Sequence, residues 1–222
     1  LEDAVSVRMI YQVDATRKKI LDGAEQLFAS RGFFDVQMTD LAAQLGLSRH
    51  TLYRYYRDKA SLALAIFERM VASIREDGAI DRFRSSLAAS SQTGLEKVRA
   101  WITHFLDQPG QGQALRFLTE FDNYFAVPRI DEEFRARLNA VTPVETFELL
   151  EELIRAGITD GSIRDDIDPQ LLSLTLANAV RAVVQRVTLR EEELKLRPGD
   201  DPAKIPETHL RLILAGLERR QP

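Results

Sequence analysis

The sequence predicts an all-α fold, and three observations carry that expectation. Apolar residues recur three and four apart through most of the chain, the spacing of one helix face. No alternation of period two persists long enough for a strand. Gly and Pro punctuate the chain at helical intervals, as at Gly32, Gly46, Pro109-Gly110, Pro128 and Asp168-Pro169. No internal repeat is evident.

The elements follow in order. Residues 1–13 are expected as a flexible arm. Asp14 or Thr16 caps a first helix whose apolar stripe is Ile20, Leu21, Ala24, Leu27 and Phe28, and Gly32 stops it. Leu41, Ala42 and Leu45 give a second, short helix one apolar face. Gln37 and Met38 open that helix. Gln caps weakly, so Asp35 or Thr39 is expected to supply the cap. Gly46 follows where a helix end favours a left-handed residue. Ser48 then caps a third helix, with Leu52 and Tyr56 facing inward. A fourth helix covers 59–76, with Leu62, Ile66, Phe67, Met70 and Ile74 apolar.

From 77 to 94 the chain is Ser-rich and bounded by Gly, and helical only in parts. Further helices are expected at 95–107, ended by Pro109-Gly110, at 113–125, ended by Pro128, around Phe134, and at 144–156. Gly157 to Gly161 reads as a turn. Asp168-Pro169, a cap followed by Pro at the first helical position, opens a helix to about Arg190. Residues 195–206 form a charged Pro/Gly loop, and a last helix covers 207–219.

Two short helices meeting at Gly46 have the layout of a helix-turn-helix, which places its second helix in the DNA major groove. The chemistry of that helix agrees. Arg49 with Tyr53, and His50 with Arg54, are i, i+4 pairs turned away from Leu52. The helix N-terminus also favours phosphate. Between Leu47 and Lys59, four basic residues (Arg49, Arg54, Arg57, Lys59) stand against Asp58 alone, a local charge of +3 in a chain of net charge −4. A DNA-binding protein needs positive charge only where it meets phosphate. The bland alternative is a helical hairpin with a solvated basic face.

The runs RKKILDGAEQLFASRGF, TDLAAQLGLS and TLYRYYRDKASL, within Thr16 to about Met70, resemble the N-terminal domain of TetR-family transcriptional regulators. The sequence LIRAGITDGSIRDDIDP resembles the join between the seventh and eighth helices of the same family. The resemblance implies an all-α fold with an N-terminal three-helix helix-turn-helix DNA-binding domain and a C-terminal helical ligand-binding and dimerisation bundle. The corresponding domains are an arm at 1–13, the DNA-binding domain at 14–62 with the fourth helix (59–76) as linker, and the bundle at 77–222. It implies DNA contacts from Thr39, Ser48, Arg49, His50, Thr51, Tyr53, Arg54, Tyr55 and Lys59, with Tyr56 in the core. Arg49 is suited to guanine O6/N7. Tyr53, Tyr55 and Lys59 suit phosphates, which position without reading sequence. Arg17, Lys18 and Lys19 add backbone contacts or form a solvated helix start. His50 stands where the family often has a small residue, so the operator sequence does not transfer from relatives.

The helix from Pro169 is apolar over a wide arc (Leu171, Leu172, Leu174, Leu176, Ala177, Val180, Val183, Val184, Val187), which calls for burial on more than one side. The resemblance implies that this helix and the last one form a four-helix interface in a homodimer. The expected contacts are Leu174, Ala177, Arg181, Val184, Leu210, Ile213, Leu214 and Leu217. Trp101, His104, Phe105, Arg116, Phe117, Glu120, Phe121 and Tyr124 fall in two helices. They read either as an aromatic pocket with polar handles for a small-molecule effector or as plain core.

Composition narrows the classes. The absence of cysteine excludes disulfides and thiolate chemistry. Three histidines (His50, His104, His209), no phosphate-cradling Gly loop and no ligand spacing leave little support for an enzyme, a metal or a cofactor. LEDAVSVRMIYQV does not form a signal peptide, and no run approaches the ~20 apolar residues of a membrane span, so a cytoplasmic protein is expected. The implied function is a ligand-responsive, dimeric repressor of a palindromic double-stranded DNA operator. The competing class is a helical protein–protein adaptor that keeps the fold without DNA binding.

Overall fold

Helix ends follow local chemistry closely along the chain. The computed structural model describes residues 2–76, 78–106, 111–125, 131–142 and 144–219. Its helices are α1 (Glu2–Asp35), α2 (Met38–Gln44), α3 (Arg49–Tyr55), α4 (Lys59–Glu76), α5 (Ala79–Ala88) and α6 (Gly94–Leu106). They continue as α7 (Gln111–Phe125), α8 (Glu132–Val141), α9 (Val144–Asp160), α10 (Pro169–Arg190) and α11 (Ile205–Leu217). Among the described residues there is no strand, only an isolated bridge between Ile163 and Glu218. Among the described residues no helix is long and apolar enough to cross a membrane. The expected all-α fold is what the chain adopts.

Most caps are the expected ones. Ser48 accepts from the Thr51 N–H at 3.0 Å, and Asp168 from the Leu171 N–H at 2.9 Å with Pro169 behind it. Gly46 takes φ 62° and closes α2. Three details differ from expectation. The first helix begins at Glu2 rather than at Asp14 or Thr16, since nothing from Glu2 to Asp14 is a Gly or Pro. The cap of α2 comes from neither Asp35 nor Thr39: the Asp40 carboxylate reaches back to the Gln37 N–H at 3.1 Å. The Ser-rich stretch is helical in parts, as expected, and its helical part is α5. Residues 157–160 are the last turn of α9 rather than a loop, and the chain turns only at Gly161, φ 79°. Pro109-Gly110 and Pro128 lie outside the described residues.

By packing, the chain forms two compact units, 1–73 with 112–142 and 74–111 with 143–222. This grouping differs from the functional division expected from sequence, because α7 and α8 pack with the N-terminal helices. In the first unit Ile20, Ala24, Phe28 and Phe33 of α1 meet Leu41, Leu52, Leu62, Ile66 and Phe117, all fully buried. Phe33 is the hub. Its ring lies 4.2 Å from Phe28, 5.5 Å from Phe117, 5.6 Å from Tyr124, 6.0 Å from Phe125 and 6.2 Å from Phe121. Arg69 on α4 adds a fork to α1, reaching Asp22 at 2.6 Å and Glu25 at 2.7 Å. Those groups are partly exposed, so the fork contributes at most about 1 kcal/mol, whereas each large buried side chain contributes about 1.5–3 kcal/mol. Packing holds this unit together.

In the second unit Val98 and Ile102 of α6 meet Leu150 and Ile154 of α9, Leu172, Leu176 and Val180 of α10, and Leu214 and Leu217 of α11. One face of α10 is thus in the core. The opposite face leaves Leu171 59 % and Leu174 46 % exposed.

Candidate nucleic-acid interface

The third helix is only seven residues long, and its two faces are sharply different. Leu52 is fully buried and Tyr56, at its C-cap, is 5 % exposed. Arg49, His50, Tyr53 and Arg54 are exposed together on the outer face. The inner pair docks the helix and the outer four present donors and an aromatic ring, which is the division of labour a recognition helix requires. Ser48 is committed to its cap, and its Oγ lies 2.8 Å from the Thr51 Oγ1. Thr51 and Thr39 are half-buried. Tyr55 is also half-buried against the core, with the Arg54 guanidinium 5.6 Å from its ring centre.

Local charge is redistributed by the fold. Arg57 donates to the Asp58 carboxylate at 3.0 Å. Burial disfavours the charged form of Asp58, but the Ser61 amide and hydroxyl and the Arg57 charge outweigh it and hold its pKa below the ordinary value. Lys59 turns inward. Its ammonium donates to the carbonyl of Phe33 and, at 3.0 Å, to that of Val36, so it caps the C-terminal end of α1. It also stands 4.9 Å from the ring centre of Tyr124. Burial pushes the Lys59 pKa down, with Asp35 opposing. The ammonium expected at a phosphate here serves two backbone carbonyls of residues that are themselves fully buried. Of the four basic residues counted from sequence, Arg49 and Arg54 are the two on the outer face of α3.

Sequence reasoning missed the partner of Tyr56. Its hydroxyl accepts from the Nε–H of Arg17 at 3.3 Å, joining α1 to the end of α3. A tyrosine at an inward position was the available signal, since a buried phenol seeks a partner.

The expected effector residues divide between the units. Trp101 is 7 % exposed in the second core, and His104 is exposed with its ring stacked on Phe83 at 4.3 Å. The side chain of Phe105 lies outside the described residues. In the first unit, Phe117 and Phe121 are buried at 0 % and 2 % in the ring cluster around Phe33, Tyr124 is half-buried beside them, and Arg116 is exposed. The Glu120 carboxylate lies where a Cβ on Gly32 would come within 2.9 Å of it. The rings of α7 are therefore core to their own unit. Among the expected dimer residues, Leu214 at 1 % and Leu217 at 4 % are also in the chain's own core. Ala177, Val184, Leu210 and Ile213 pack against that core, while Leu174 and Arg181 are exposed. On α11 the exposed apolar side chains are instead Leu212, 68 %, and Ile205, 38 %. Among the described residues no cluster of His, Asp or Glu is placed to hold a metal.

Comparison with known proteins fits this geometry. The sequence profile of bacterial regulatory proteins of the tetR family matches residues 20–66, the span from α1 to α4. An HTH-type transcriptional repressor of Mycobacterium tuberculosis is 37 % identical over 195 residues, covering 86 % of this chain and 87 % of that one. Among solved structures, a transcriptional regulator from Saccharomonospora viridis in complex with choline superposes with a TM-score of 0.66 at 21 % identity, covering 93 % of this chain and 100 % of that one. A Thermus thermophilus repressor in complex with lauroyl-CoA gives 0.55 at 26 % identity, covering 93 % and 97 %.

Proposed function

Because the chain belongs to the TetR family of bacterial regulatory proteins, we propose that it is a dimeric, ligand-responsive repressor that leaves its operator when a small molecule binds its C-terminal helices. The observation that carries this proposal is the outer face of α3, where Arg49, His50, Tyr53 and Arg54 stand exposed over the buried Leu52. Arg49 is the base reader, by bidentate contact to guanine, and Tyr53 and Arg54 hold phosphates. Ser48 and Thr51 keep the helix N-terminus ordered, and Thr39 on α2 reaches the backbone. Residues 14–62 serve as the DNA-binding domain, 59–76 as the link, and 77–222 as the bundle for ligand and dimer. Two copies of α3 enter successive major grooves about 34 Å apart.

Support for a small-molecule effector comes from similar regulators crystallised with choline and with lauroyl-CoA. Those two ligands share little chemistry, so the effector of this chain is left to experiment. The relatives are regulators of transcription rather than enzymes. As a regulator of DNA the protein works in the cytoplasm. The two sites are linked: ligand weakens DNA binding by the factor by which DNA weakens ligand binding.

The test is selection of bound duplexes from a random pool by the purified protein, followed by Arg49→Ala and Tyr53→Ala. A palindromic site, lost in both variants while they stay folded and dimeric, is the expected result. A folded, dimeric wild type that enriches no sequence favours the adaptor class and removes the proposal.

A further inference from the structure

We propose that Arg84 on α5 is the receptor for a small-molecule oxyanion, a carboxylate or a phosphate ester, held at the seam between α5 and α9. This rests on the ligand-responsive function proposed above and names the chemical class of its effector.

The observation is an arginine within the apolar stripe of a helix. Leu87 of α5 is buried in the second core, and Ile80 and Phe83 pack against that core. Arg84 falls on the same face, four residues after Ile80 and three before Leu87. Its Nε is shielded from solvent and has no hydrogen-bond partner among the described residues. A guanidinium carries donors only, so nothing but an acceptor can answer that group. The outer end of the side chain is reachable. The side chain is 41 % exposed, and a terminal nitrogen stands 3.7 Å from the Glu152 carboxylate of α9. That separation is too long for a hydrogen bond.

Neighbouring pairs show what a satisfied arginine looks like here. Arg75 reaches Glu145 of α9 at 3.0 Å, and Arg155 reaches Glu151 at 2.6 Å. Arg84 is held more loosely, and Glu152 is 58 % exposed and can swing into water. A shielded donor without an acceptor is rare in folded proteins and costs stability. An oxyanion supplies what is missing. One oxygen on the Nε–H and one on a terminal nitrogen make the two-point fork that guanidinium forms with carboxylate or phosphate. To form it the anion displaces Glu152, and a turn about the outer bonds of Arg84 brings its Nε edge to the ligand. The adjacent Phe83, whose ring lies 4.3 Å from that of the exposed His104, offers flat apolar surface to the rest of the molecule.

The experiment is isothermal titration calorimetry of the full-length protein without DNA, with hexanoate, hexyl phosphate and uncharged hexanol as probes. Wild type is expected to bind an anion at a single site per chain and to ignore hexanol, and the tighter anion identifies the oxyanion. Arg84→Gln should weaken binding about a hundredfold. Arg84→Lys keeps the charge but loses the planar fork, and should weaken it about tenfold. Glu152→Gln should strengthen binding about threefold, since the anion no longer displaces a carboxylate. Circular dichroism checks that each variant is folded. No binding of either anion, hexanol binding as tightly as the anions, or unchanged affinity in folded Arg84→Lys overturns the inference. A Glu152→Gln variant with a lower thermal midpoint and unchanged anion affinity identifies a fold staple and also overturns it. Anisotropy on the selected duplex tests the effector role separately. The tighter anion should lower DNA affinity in wild type, and an affinity unmoved at saturation overturns that role. A wild type that binds no duplex removes the DNA-binding function, while calorimetry still decides whether Arg84 holds an anion.

Discussion

A Cβ built on Gly94 would lie 2.1 Å from the backbone nitrogen of Gly157, so α6 and α9 meet backbone to backbone. Nothing flexible can yield there, because the neighbouring atoms are main chain. Gly94→Ala is expected to force the helices apart and to lower stability by about 1–3 kcal/mol or more. Gly112 is the control. A Cβ there meets nothing within 4 Å, so Gly112→Ala should raise stability by about 0.5–1 kcal/mol through helix propensity. Urea unfolding of both variants reads the two signs.

The same crossing is held by Asp160. Its carboxylate accepts from the Gly94 N–H at 2.7 Å and from the Ser162 N–H at 2.9 Å. Hydrogen bonds from Ser162 lower its pKa most; burial opposes them, and the Gly94 amide and the Lys97 charge add to the lowering. A carboxyl with a folded pKa below its unfolded value stabilises fully above the unfolded value and loses that contribution as pH falls through the folded one. The loss therefore begins near 3.8 and continues below it. Asp160→Asn should be less stable than wild type at neutral pH, and the gap between them should narrow on acidification. A gap that stays constant from neutral pH to below 3.8 would count against this account.

How much of this was legible in the sequence depends on distance along the chain. The helix-turn-helix rests on neighbours: Gly46 ends one helix, Ser48 caps the next, and Leu52 and Tyr56 lie one turn apart on its inner face. Each signal falls within a turn or two, and each was readable. Lys59 was not, because its acceptors are carbonyls of Phe33 and Val36, and a carbonyl leaves no mark in a sequence. Gly157 read as a turn because a helical glycine makes sense only with Gly94 against it. On α11 the apolar residues occupy two sides, and periodicity alone does not say that the core takes Leu214 and Leu217 and leaves Leu212 outside.

Neighbouring phenylalanines at the end of α1 should behave very differently. Phe33 is fully buried at the centre of five rings, whereas Phe34 is 54 % exposed with its ring 5.0 Å from Tyr124. Phe33→Ala is expected to cost about 3–5 kcal/mol. Phe34→Ala should cost about 1 kcal/mol or less, the worth of one aromatic pair beside solvent. Chemical denaturation gives both values, and comparable losses at the two positions would refute the hub role of Phe33.

Lys59→Met separates capping from DNA contact. The methionine keeps much of the stem but leaves the carbonyls of Phe33 and Val36 without their donor, which should cost about 1–3 kcal/mol. Because the ammonium points into the fold, the salt slope of DNA binding should be that of wild type. A slope reduced by about 0.9 would mean that Lys59 leaves its carbonyls for a phosphate when DNA binds.

The dimer surface can be mapped by pairing residues on opposite faces of α11. Leu212 is 68 % exposed and Leu214 is 1 % exposed. Burying an exposed leucine against a second copy stabilises by about 1.5–3 kcal/mol, and a charge placed there is not tolerated without a partner. Leu212→Glu, and likewise Leu174→Glu on the exposed face of α10, should therefore raise the dissociation constant of the dimer while each subunit keeps its helical content. Leu214→Ala should do the reverse, leaving the contact surface intact and costing about 2–5 kcal/mol of core stability. Sedimentation velocity over a concentration series distinguishes them. Dimers unaffected by both glutamate variants would place the interface elsewhere, because a leucine already in water loses nothing by becoming charged unless a partner covers it.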